Sequence, residues 1–192
     1  MLGIAESFYK GGKKSILVGI VQRADLIIDG FSIAFPTLGG LDATDKVLEI
    51  YDSLHREDIN VIGLSGTVIS WFNVIDLIRI HRETRLPVIS ITYEESEGLL
   101  MYFKKYFPND WQKRWEIHCR NGERLKVKLK TGYEIFIRPI GVSIDEAVFI
   151  LNRFLVEGKH PEPIRIAQLI AHKLSREILP IINKYYSEHI HS

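Results

Sequence analysis

The sequence predicts an α/β fold in which one mixed β-sheet carries helices on both of its faces. Three observations predict it. Residues 59–91 contain two short apolar runs joined by a helical stretch, which is typical of two parallel strands and their crossover helix. Residues 15–35 contain two strand-like runs with a very short connection, which is typical of an antiparallel hairpin. Further stretches with helical spacing lie before and after the crossover unit.

The crossover unit organises this prediction. Its first strand is the apolar run 61–64, and Ser65, Gly66 and Thr67 follow it as a tight turn. From Trp71 onward the apolar residues recur every three or four positions, which predicts a helix that ends before Pro87. The second strand is residues 88–91. Ligands of such units bind at the carboxyl ends of the strands, so we expect any site near Ser65.

The chain before this unit supplies three further elements. Residues 2–4 are expected to end an edge element of the sheet. Residues 15–21 and 26–35 are the two strands of the hairpin. A helix then starts at Asp42 or Thr44. Its apolar residues share one face, and they are Ala43, Val47, Tyr51 and Leu54.

The chain after the unit alternates between helices and strands. The spacing predicts a helix over residues 94–107, followed by strands over 115–119, 124–129 and 133–137 with turn dipeptides between them. Ser143 is followed three positions later by Glu146, which is the spacing of a capping box at a helix start. The last helix covers residues 164–182.

This order of elements is that of a ribonuclease-H-like architecture. A doubly wound sheet is the alternative, and the early hairpin is the feature that decides against it. The 192 residues suit a single domain over residues 1–192. Because the chain has one cysteine, Cys119, an internal disulfide and an all-cysteine zinc site are excluded.

Composition and charge limit the kinds of partner that the sequence predicts. Lys plus Arg is 25 and Asp plus Glu is 24, so the formal net charge of +1 does not by itself favour nucleic acid or a membrane. There is no long uncharged apolar run, and the basic residues at the start of the chain follow the apolar ones, unlike those of a signal peptide. We therefore expect a soluble, cytoplasmic protein with no membrane partner.

Four sequence blocks resemble the signature of one family. They are residues 40–46 (GLDATDK), 71–76 (WFNVID), 81–89 (HRETRLPVI) and 161–171 (PEPIRIAQLIA). In order and spacing they resemble the largely archaeal endonuclease-V-like family, also called endonuclease dU. The resemblance implies a ribonuclease-H-like, endonuclease-V-like fold and Mg²⁺-dependent cutting of nucleic acid near a deaminated base. In that reaction clustered carboxylates hold the Mg²⁺ ions, which activate water and neutralise the developing charge.

The chain departs from the family pattern at three of the four catalytic positions that the resemblance implies. The aspartate of the first strand is replaced at Ala5, the aspartate of the crossover strand at Ser65, and the helix histidine at Gln168. Asp42 matches its block. Asp42 and Glu6 remain as candidate metal ligands, although an aspartate at a helix start is more often a cap. Two other residues could replace lost groups, namely Asp45 and His172.

Two functional hypotheses follow from these substitutions. A single carboxylate binds hydrated Mg²⁺ weakly, and losing catalytic groups that act as a unit costs several orders of magnitude in rate. We therefore favour a catalytically degenerate relative that binds nucleic acid or another partner through the family cleft, with Mg²⁺ weak or absent. The alternative is an active magnesium-dependent endonuclease that cuts DNA or RNA near deaminated bases.

The segment from Lys104 to Arg138 is locally basic, with ten Lys or Arg against four Asp or Glu. Trp115 lies within it, and three lysines alternate along one predicted strand, namely Lys126, Lys128 and Lys130. Such residues could bind nucleic acid through its phosphates and bases. The alternative, which we favour, is that the lysines protect an exposed sheet edge. The final segment is rich in aromatic residues, which leaves room for a homodimer contact.

Overall fold

The computed structural model describes residues 1–9, 11–95 and 98–189, and over that part of the chain it contains nine strands and seven helices. The strands are β1 (Leu2–Ser7), β2 (Ile16–Gln22), β3 (Ile28–Ala34), β4 (Ile62–Ser65), β5 (Val68–Ile69), β6 (Asn73–Val74), β7 (Val88–Thr92), β8 (Leu125–Lys128) and β9 (Glu134–Ile140). The helices are α1 (Ala43–Ser53), α2 (Leu77–Thr84), α3 (Leu99–Tyr106), α4 (Trp111–Arg120), α5 (Ile144–Arg153), α6 (Glu162–Glu177) and α7 (Leu179–His189).

Seven of these strands form one mixed sheet in the order β3-β2-β1-β4-β7-β9-β8. The three central strands β1, β4 and β7 are parallel. The strands on either side of them pair antiparallel. The remaining strands, β5 and β6, form a separate small hairpin directly after β4. The predicted mixed sheet is therefore confirmed, and its parallel centre places three carboxyl strand ends side by side.

Helices cover both faces of the sheet, as predicted. On one face α1 and α2 pack against alternate residues of the central strands, such as Leu2, Ile4 and Leu64. On the other face α6 packs against Ala5 and Val18, and α5 packs against β7 and β9. Helix α6 lies very close to β1. A Cβ atom added to Gly3 would stand 2.6 Å from the Pro163 carbonyl carbon, so this approach requires glycine.

Most predicted strands are confirmed, but the first element is not at an edge. Strand β1 lies between β2 and β4 and is hydrogen-bonded on both sides. The prediction missed the central position of β1 because it used only residues 2–4, whereas the strand extends to Ser7. Both side chains that β1 directs toward α1, Leu2 and Ile4, are fully buried. The edge strands are β3 and β8.

The helix predicted from Trp71 is wrong in its first turns. Residues 68–74 form the β5–β6 hairpin, and Ser70, Trp71 and Phe72 have φ angles of 47°, 57° and 66°, which a right-handed helix does not contain. Helix α2 begins only at Leu77. Its N-cap is Asp76, whose side chain accepts a hydrogen bond from the Arg79 amide at 3.0 Å.

The strand predicted over residues 115–119 is also wrong, because these residues belong to helix α4. Alternation of Trp115, Ile117 and Cys119 with polar residues suggested a strand, yet the residue of α4 that is buried is Arg114. Helix α3 starts at Leu99 rather than at residue 94, and the final helix is divided into α6 and α7. The capping box of Ser143 and Glu146 is confirmed. Within the described residues, no helix has the length and apolar character needed to cross a bilayer.

Candidate functional site

The carboxyl ends of the three parallel strands open into one cleft of about 600 Å³, which we call the main cleft. Each strand contributes a polar side chain there: Glu6 from β1, Ser65 from β4 and Thr92 from β7. The β5–β6 hairpin lies along one side. Helix α4 contributes two further side chains, Trp115 and His118. The expectation that Ser65 lies where a ligand would bind is consistent with this arrangement.

Glu6 is the carboxylate of the main cleft. The Ser70 hydroxyl donates a hydrogen bond to its Oε1 at 3.1 Å, and the hydroxyls of Ser15 and Ser70 lie 2.6 Å apart behind it. Burial raises the pKa of Glu6 to about 7, although the hydrogen bonds from Ser70 and Ser15 oppose this. Near neutral pH the group is therefore only partly charged.

Two arginine side chains, Arg138 and Arg124, bring positive charge to the main cleft. Arg138 is buried and donates from Nε to the Gly122 carbonyl at 2.8 Å and from Nη1 to the Thr67 hydroxyl at 3.1 Å. Arg124 also lines the cleft. Burial, with the nearby charges of Arg138 and Arg124, lowers the pKa of His118 to about 4, so this imidazole is neutral at physiological pH.

The residues present do not fit the Mg²⁺ that the family resemblance implies. Among the described residues that line the main cleft, the charged groups are Glu6, Arg124 and Arg138. The described part of the chain contains no group of three or more His, Cys, Asp or Glu side chains that could hold a metal ion. Mg²⁺ is usually held by one or two ionised carboxylates together with waters and substrate phosphates, and one partly protonated carboxyl beside two guanidinium groups is a poor ligand set for it.

Asp42 does not line the main cleft. Its carboxylate accepts hydrogen bonds from the Thr37 amide at 3.1 Å, the Thr37 hydroxyl at 2.8 Å and the Asn73 side-chain amide at 2.7 Å. Burial alone would raise the pKa of Asp42, but these hydrogen bonds outweigh it and lower the pKa. Asp42 stands at the N-cap position of α1, yet it caps no helix amide. The Asn73 side chain instead accepts from the Ala43 amide at 3.0 Å.

The other family positions surround β1. Gln168 lines a smaller cleft of about 300 Å³, together with Glu6, His172 and Arg165. Ala5 is buried beneath α6. The structure therefore places Glu6 beside both Ser65 and Gln168, in two adjoining clefts, and leaves Asp42 apart from them. Asp45 lies elsewhere and pairs with Arg79 at 2.7 Å.

The predicted nucleic-acid-binding residues divide into two groups. Trp115 lines the main cleft and stacks on His118 with ring centroids 5.4 Å apart. Lys126 and Lys128 are exposed on the edge strand β8, whose Leu125 and Val127 turn toward the core, and Lys130 is exposed just beyond it. By the two-residue period of a strand, these lysines lie on the same side of the chain as Arg124.

Arg114 is a structural residue of the site that the sequence did not reveal. Its guanidinium is buried and donates hydrogen bonds to three carbonyl oxygens, those of Gly39, Gly40 and Phe72, at 2.8 to 2.9 Å. It also pairs with Asp110 and lies over the Phe107 ring, 3.7 Å from its centroid. Helix α4 therefore holds the loop before α1 and the tip of the β5–β6 hairpin together. No hydrophobic pattern marks a buried arginine.

Comparison with known proteins agrees with this fold. The family model of endonuclease dU matches residues 1–175. A UPF0215 protein of Pyrobaculum calidifontis is 35% identical over 170 residues, which cover 88% of this chain and 93% of that protein. A solved protein of unknown function from Archaeoglobus fulgidus is 31% identical with a TM-score of 0.77, covering 89% of this chain and 95% of that one.

The fold also matches a more distant structure. Endonuclease V of Ciona intestinalis, solved in complex with a 24mer DNA containing an inosine followed by a ribo-adenosine, has a TM-score of 0.57 at 14% identity, covering 94% of this chain and 86% of that one. At this identity the match concerns the fold alone, and it confirms the predicted endonuclease-V-like architecture. The family model and the archaeal relatives show more: this chain belongs to the endonuclease dU family.

Proposed function

We propose that this chain is a non-catalytic member of its family that binds nucleic acid in the main cleft without a divalent metal ion. The observation that carries the proposal is the charge of that cleft. Among the described residues that line it, the one carboxyl group is Glu6, which is half-buried and has a raised pKa, while two guanidinium groups, Arg124 and Arg138, line the same space. Such a cleft favours an anion over a cation.

Nucleic acid is the anion that fits the other lining groups. Guanidinium groups bind phosphate oxygens well because their N–H donors are arranged as a planar fork. Trp71 and Trp115 supply aromatic surface in the same cleft, on which a base can stack. The DNA bound to endonuclease V of Ciona intestinalis, a protein of the same fold, supports this class of ligand.

Metal-dependent hydrolysis of a phosphodiester requires groups that the described lining of this cleft does not provide. Charge develops on the attacking and leaving oxygens, and in a metal-dependent nuclease the bound cations neutralise it. Ser65 does not supply the negative charge of a carboxylate, and Gln168 does not supply the basic ring nitrogen of an imidazole. Glu6 therefore remains without the partners needed to hold such an ion.

The basic face of β8 extends the proposed binding surface. Arg124 lies at the cleft, and Lys126 and Lys128 follow it on the same side of the edge strand. Lys126 pairs with Glu134 at 2.8 Å across β8 and β9, so its charge is partly balanced. We propose that phosphates leaving the cleft contact this row.

Fluorescence anisotropy with labelled inosine- and uracil-containing strands, in DNA and RNA forms and in EDTA, tests the binding. We expect saturable binding by the wild type and an affinity at least about tenfold lower for Arg124→Gln, because a charge-assisted phosphate contact contributes about 1.5–3 kcal/mol. The matched control is Lys173→Gln, which removes one positive charge from the exposed surface of α6. An equal loss in both variants would contradict a contact at Arg124.

The same strands, incubated with Mg²⁺ or Mn²⁺ and separated on a denaturing gel, test the absence of catalysis. We expect intact strands at the end of the incubation. Multiple turnovers that disappear in Glu6→Gln or Asp42→Ala would overturn the proposal in favour of an active endonuclease. Absence of binding under every condition would overturn nucleic acid as the ligand.

A further inference from the structure

Beside the main cleft, four aromatic side chains form a surface that we call the aromatic platform: Trp71, Phe72, Tyr102 and Tyr106. Phe72 lies at its centre, stacked against Tyr102 and Tyr106 with centroids 5.8 Å away in each case. The ring centroids of Trp71 and Tyr106 lie 5.5 Å apart. Trp71, Tyr102 and Tyr106 are 45%, 47% and 42% exposed, so part of each of these residues is accessible to solvent.

The platform is held in an unfavourable backbone conformation. Ser70, Trp71 and Phe72 are three consecutive non-glycine residues in the left-handed region, with φ between 47° and 66°. Two contacts secure them: the Phe72 carbonyl accepts from Arg114 at 2.9 Å, and the Ser70 carbonyl accepts from the Gly39 amide at 2.8 Å. Strain of this kind persists where surrounding structure enforces it, and it is concentrated at functional sites.

The surroundings of the platform are positively charged. Residues 98–120, which contain α3 and α4, carry five Lys or Arg against two Asp or Glu, a net charge of +3. The Lys104 ammonium lies 4.7 Å from the Trp111 ring centroid, and the Lys105 ammonium lies 5.3 Å from that of Tyr106. Two members of the platform, Trp71 and Phe72, also line the main cleft, so the two surfaces are continuous.

We propose that the aromatic platform stacks unpaired bases of the strand whose phosphates occupy the main cleft, and that the ligand is therefore single-stranded nucleic acid. This inference rests on the proposed function and specifies its ligand. Rings in a row beside cationic groups are how single strands are bound without sequence readout, because every base presents an aromatic face. A duplex hides those faces within its stack, so it can use the cationic groups but not the platform.

The charge also argues against a second copy of this chain as the occupant. Apolar rings alone would suit a self-association surface. Two copies would bring the exposed Lys104 and Lys105 of each chain close together and repel one another, whereas a polyanion is attracted.

Paired substitutions of the tyrosines test the platform. Tyr102→Leu and Tyr106→Leu keep apolar volume against Phe72 but remove the ring faces, and we expect each to weaken binding of an unmodified single strand by about tenfold. Tyr102→Phe keeps the ring and should bind as the wild type does. The control is Phe149→Leu, since Phe149 is exposed on α5 and belongs neither to the main cleft nor to the basic row of β8. Thermal melting verifies that each variant folds.

The outcomes separate this inference from the proposed function. We expect the leucine variants to lose affinity for single strands while retaining the weaker wild-type affinity for a duplex of the same sequence. Wild-type single-strand binding by both leucine variants, together with a loss in Arg124→Gln, would overturn the platform and leave the cleft proposal standing. No binding by the wild type would overturn both. A dimer seen in sedimentation that dissociates in Tyr102→Leu would assign the platform to self-association and overturn this inference.

Discussion

Glu6 is a half-buried carboxyl group that lines both clefts. Its hydrogen bond comes from the Ser70 hydroxyl rather than from a cation, and the arginines that share its two clefts are Arg124 and Arg138 in the main cleft and Arg165 in the smaller one. Burial therefore dominates and raises its pKa to about 7. The consequence is a proton that the folded chain retains at a pH at which the unfolded chain has lost it.

The first prediction concerns pH and Glu6→Gln. The folded pKa of about 7 lies above the unfolded value of 4.5, so the free energy of unfolding falls as pH rises between these values. By linkage the cost above pH 7 is on the order of 3 kcal/mol. We expect Glu6→Gln to be more stable than the wild type at pH 8 and equal to it at pH 4, as measured by urea denaturation. A constant difference at both pH values would contradict the raised pKa.

Asp42 is a charged residue with a different role, since its hydrogen bonds connect the loop before α1 to β6. The second prediction is that Asp42→Asn lowers the free energy of unfolding at pH 7 by about 1–3 kcal/mol, because the new amide donor would face the donors of Thr37 or Asn73. The pKa of Asp42 is lowered, so this difference should persist down to acid pH and shrink only as the carboxylate of the wild type becomes protonated. Denaturant melts at pH 7 and pH 3 measure it. Equal stability at pH 7 would contradict a structural role.

Among the elements, helix α4 gives the clearest reason why sequence patterns misplaced parts of this fold. Its alternating Trp115, Ile117 and Cys119 suggest a strand, but Trp115 and His118 are three positions apart and share one face of a helix toward the cleft. The hairpin at residues 68–74 was missed for a related reason. Apolar residues three positions apart fit a hairpin turn as well as a helix. The left-handed backbone at residues 70–72 distinguishes the turn from the helix, and the pattern of apolar residues does not predict that backbone.

The third prediction is that Arg114→Met lowers the free energy of unfolding by about 3–5 kcal/mol, since it leaves Asp110 and three carbonyl groups without their donor. Arg114→Lys should restore little of this stability, because a single ammonium group cannot reach all the acceptors that the planar guanidinium contacts. The control is Lys113→Met, an exposed neighbour on the same helix, for which we expect a change within about 0.5 kcal/mol. Urea denaturation compares them, and equal effects at both positions would be inconsistent with the clamp at Arg114.

The fourth prediction concerns the lysines of β8. If Lys126 and Lys128 contact phosphates, removing both as Lys126→Gln with Lys128→Gln should reduce the slope of log affinity against log salt concentration by about 1.4, or about 0.7 for each contact with a single strand. Lys173→Gln should leave the slope unchanged. An unaltered slope in the double variant would return these lysines to the alternative role of protecting the edge strand.

At the scale of the whole molecule, the order of elements and the family signature were sufficient to predict the fold. Buried apolar runs such as residues 61–64 and 88–91 specify parallel strands, and parallel strands place Glu6, Ser65 and Thr92 at one edge. The contents of the site were harder to predict. The packing of α6 buries Ala5, and the hydrogen bonds of Thr37 and Asn73 hold Asp42 away from the cleft. Neither contact follows from local sequence.

The family scaffold is thus retained, and the described lining of its main cleft carries more positive than negative side chains. Where the family resemblance implies clustered carboxylates, the lining residues that the structure describes combine one partly protonated carboxyl with two arginines. We propose that this scaffold holds a phosphate backbone and bases without cutting the strand between them. Both proposals, the one for the main cleft and the one for the aromatic platform, therefore depend on binding that needs no metal ion.

The most direct measurement is a calorimetric titration of Mn²⁺ into the folded chain, because Mn²⁺ binds carboxylate sites at least as tightly as Mg²⁺ does. We predict no saturable binding tighter than about 1 mM, although the same preparation binds a single strand in EDTA. Stoichiometric Mn²⁺ binding at micromolar concentration that is lost in Glu6→Gln would contradict a metal-independent cleft.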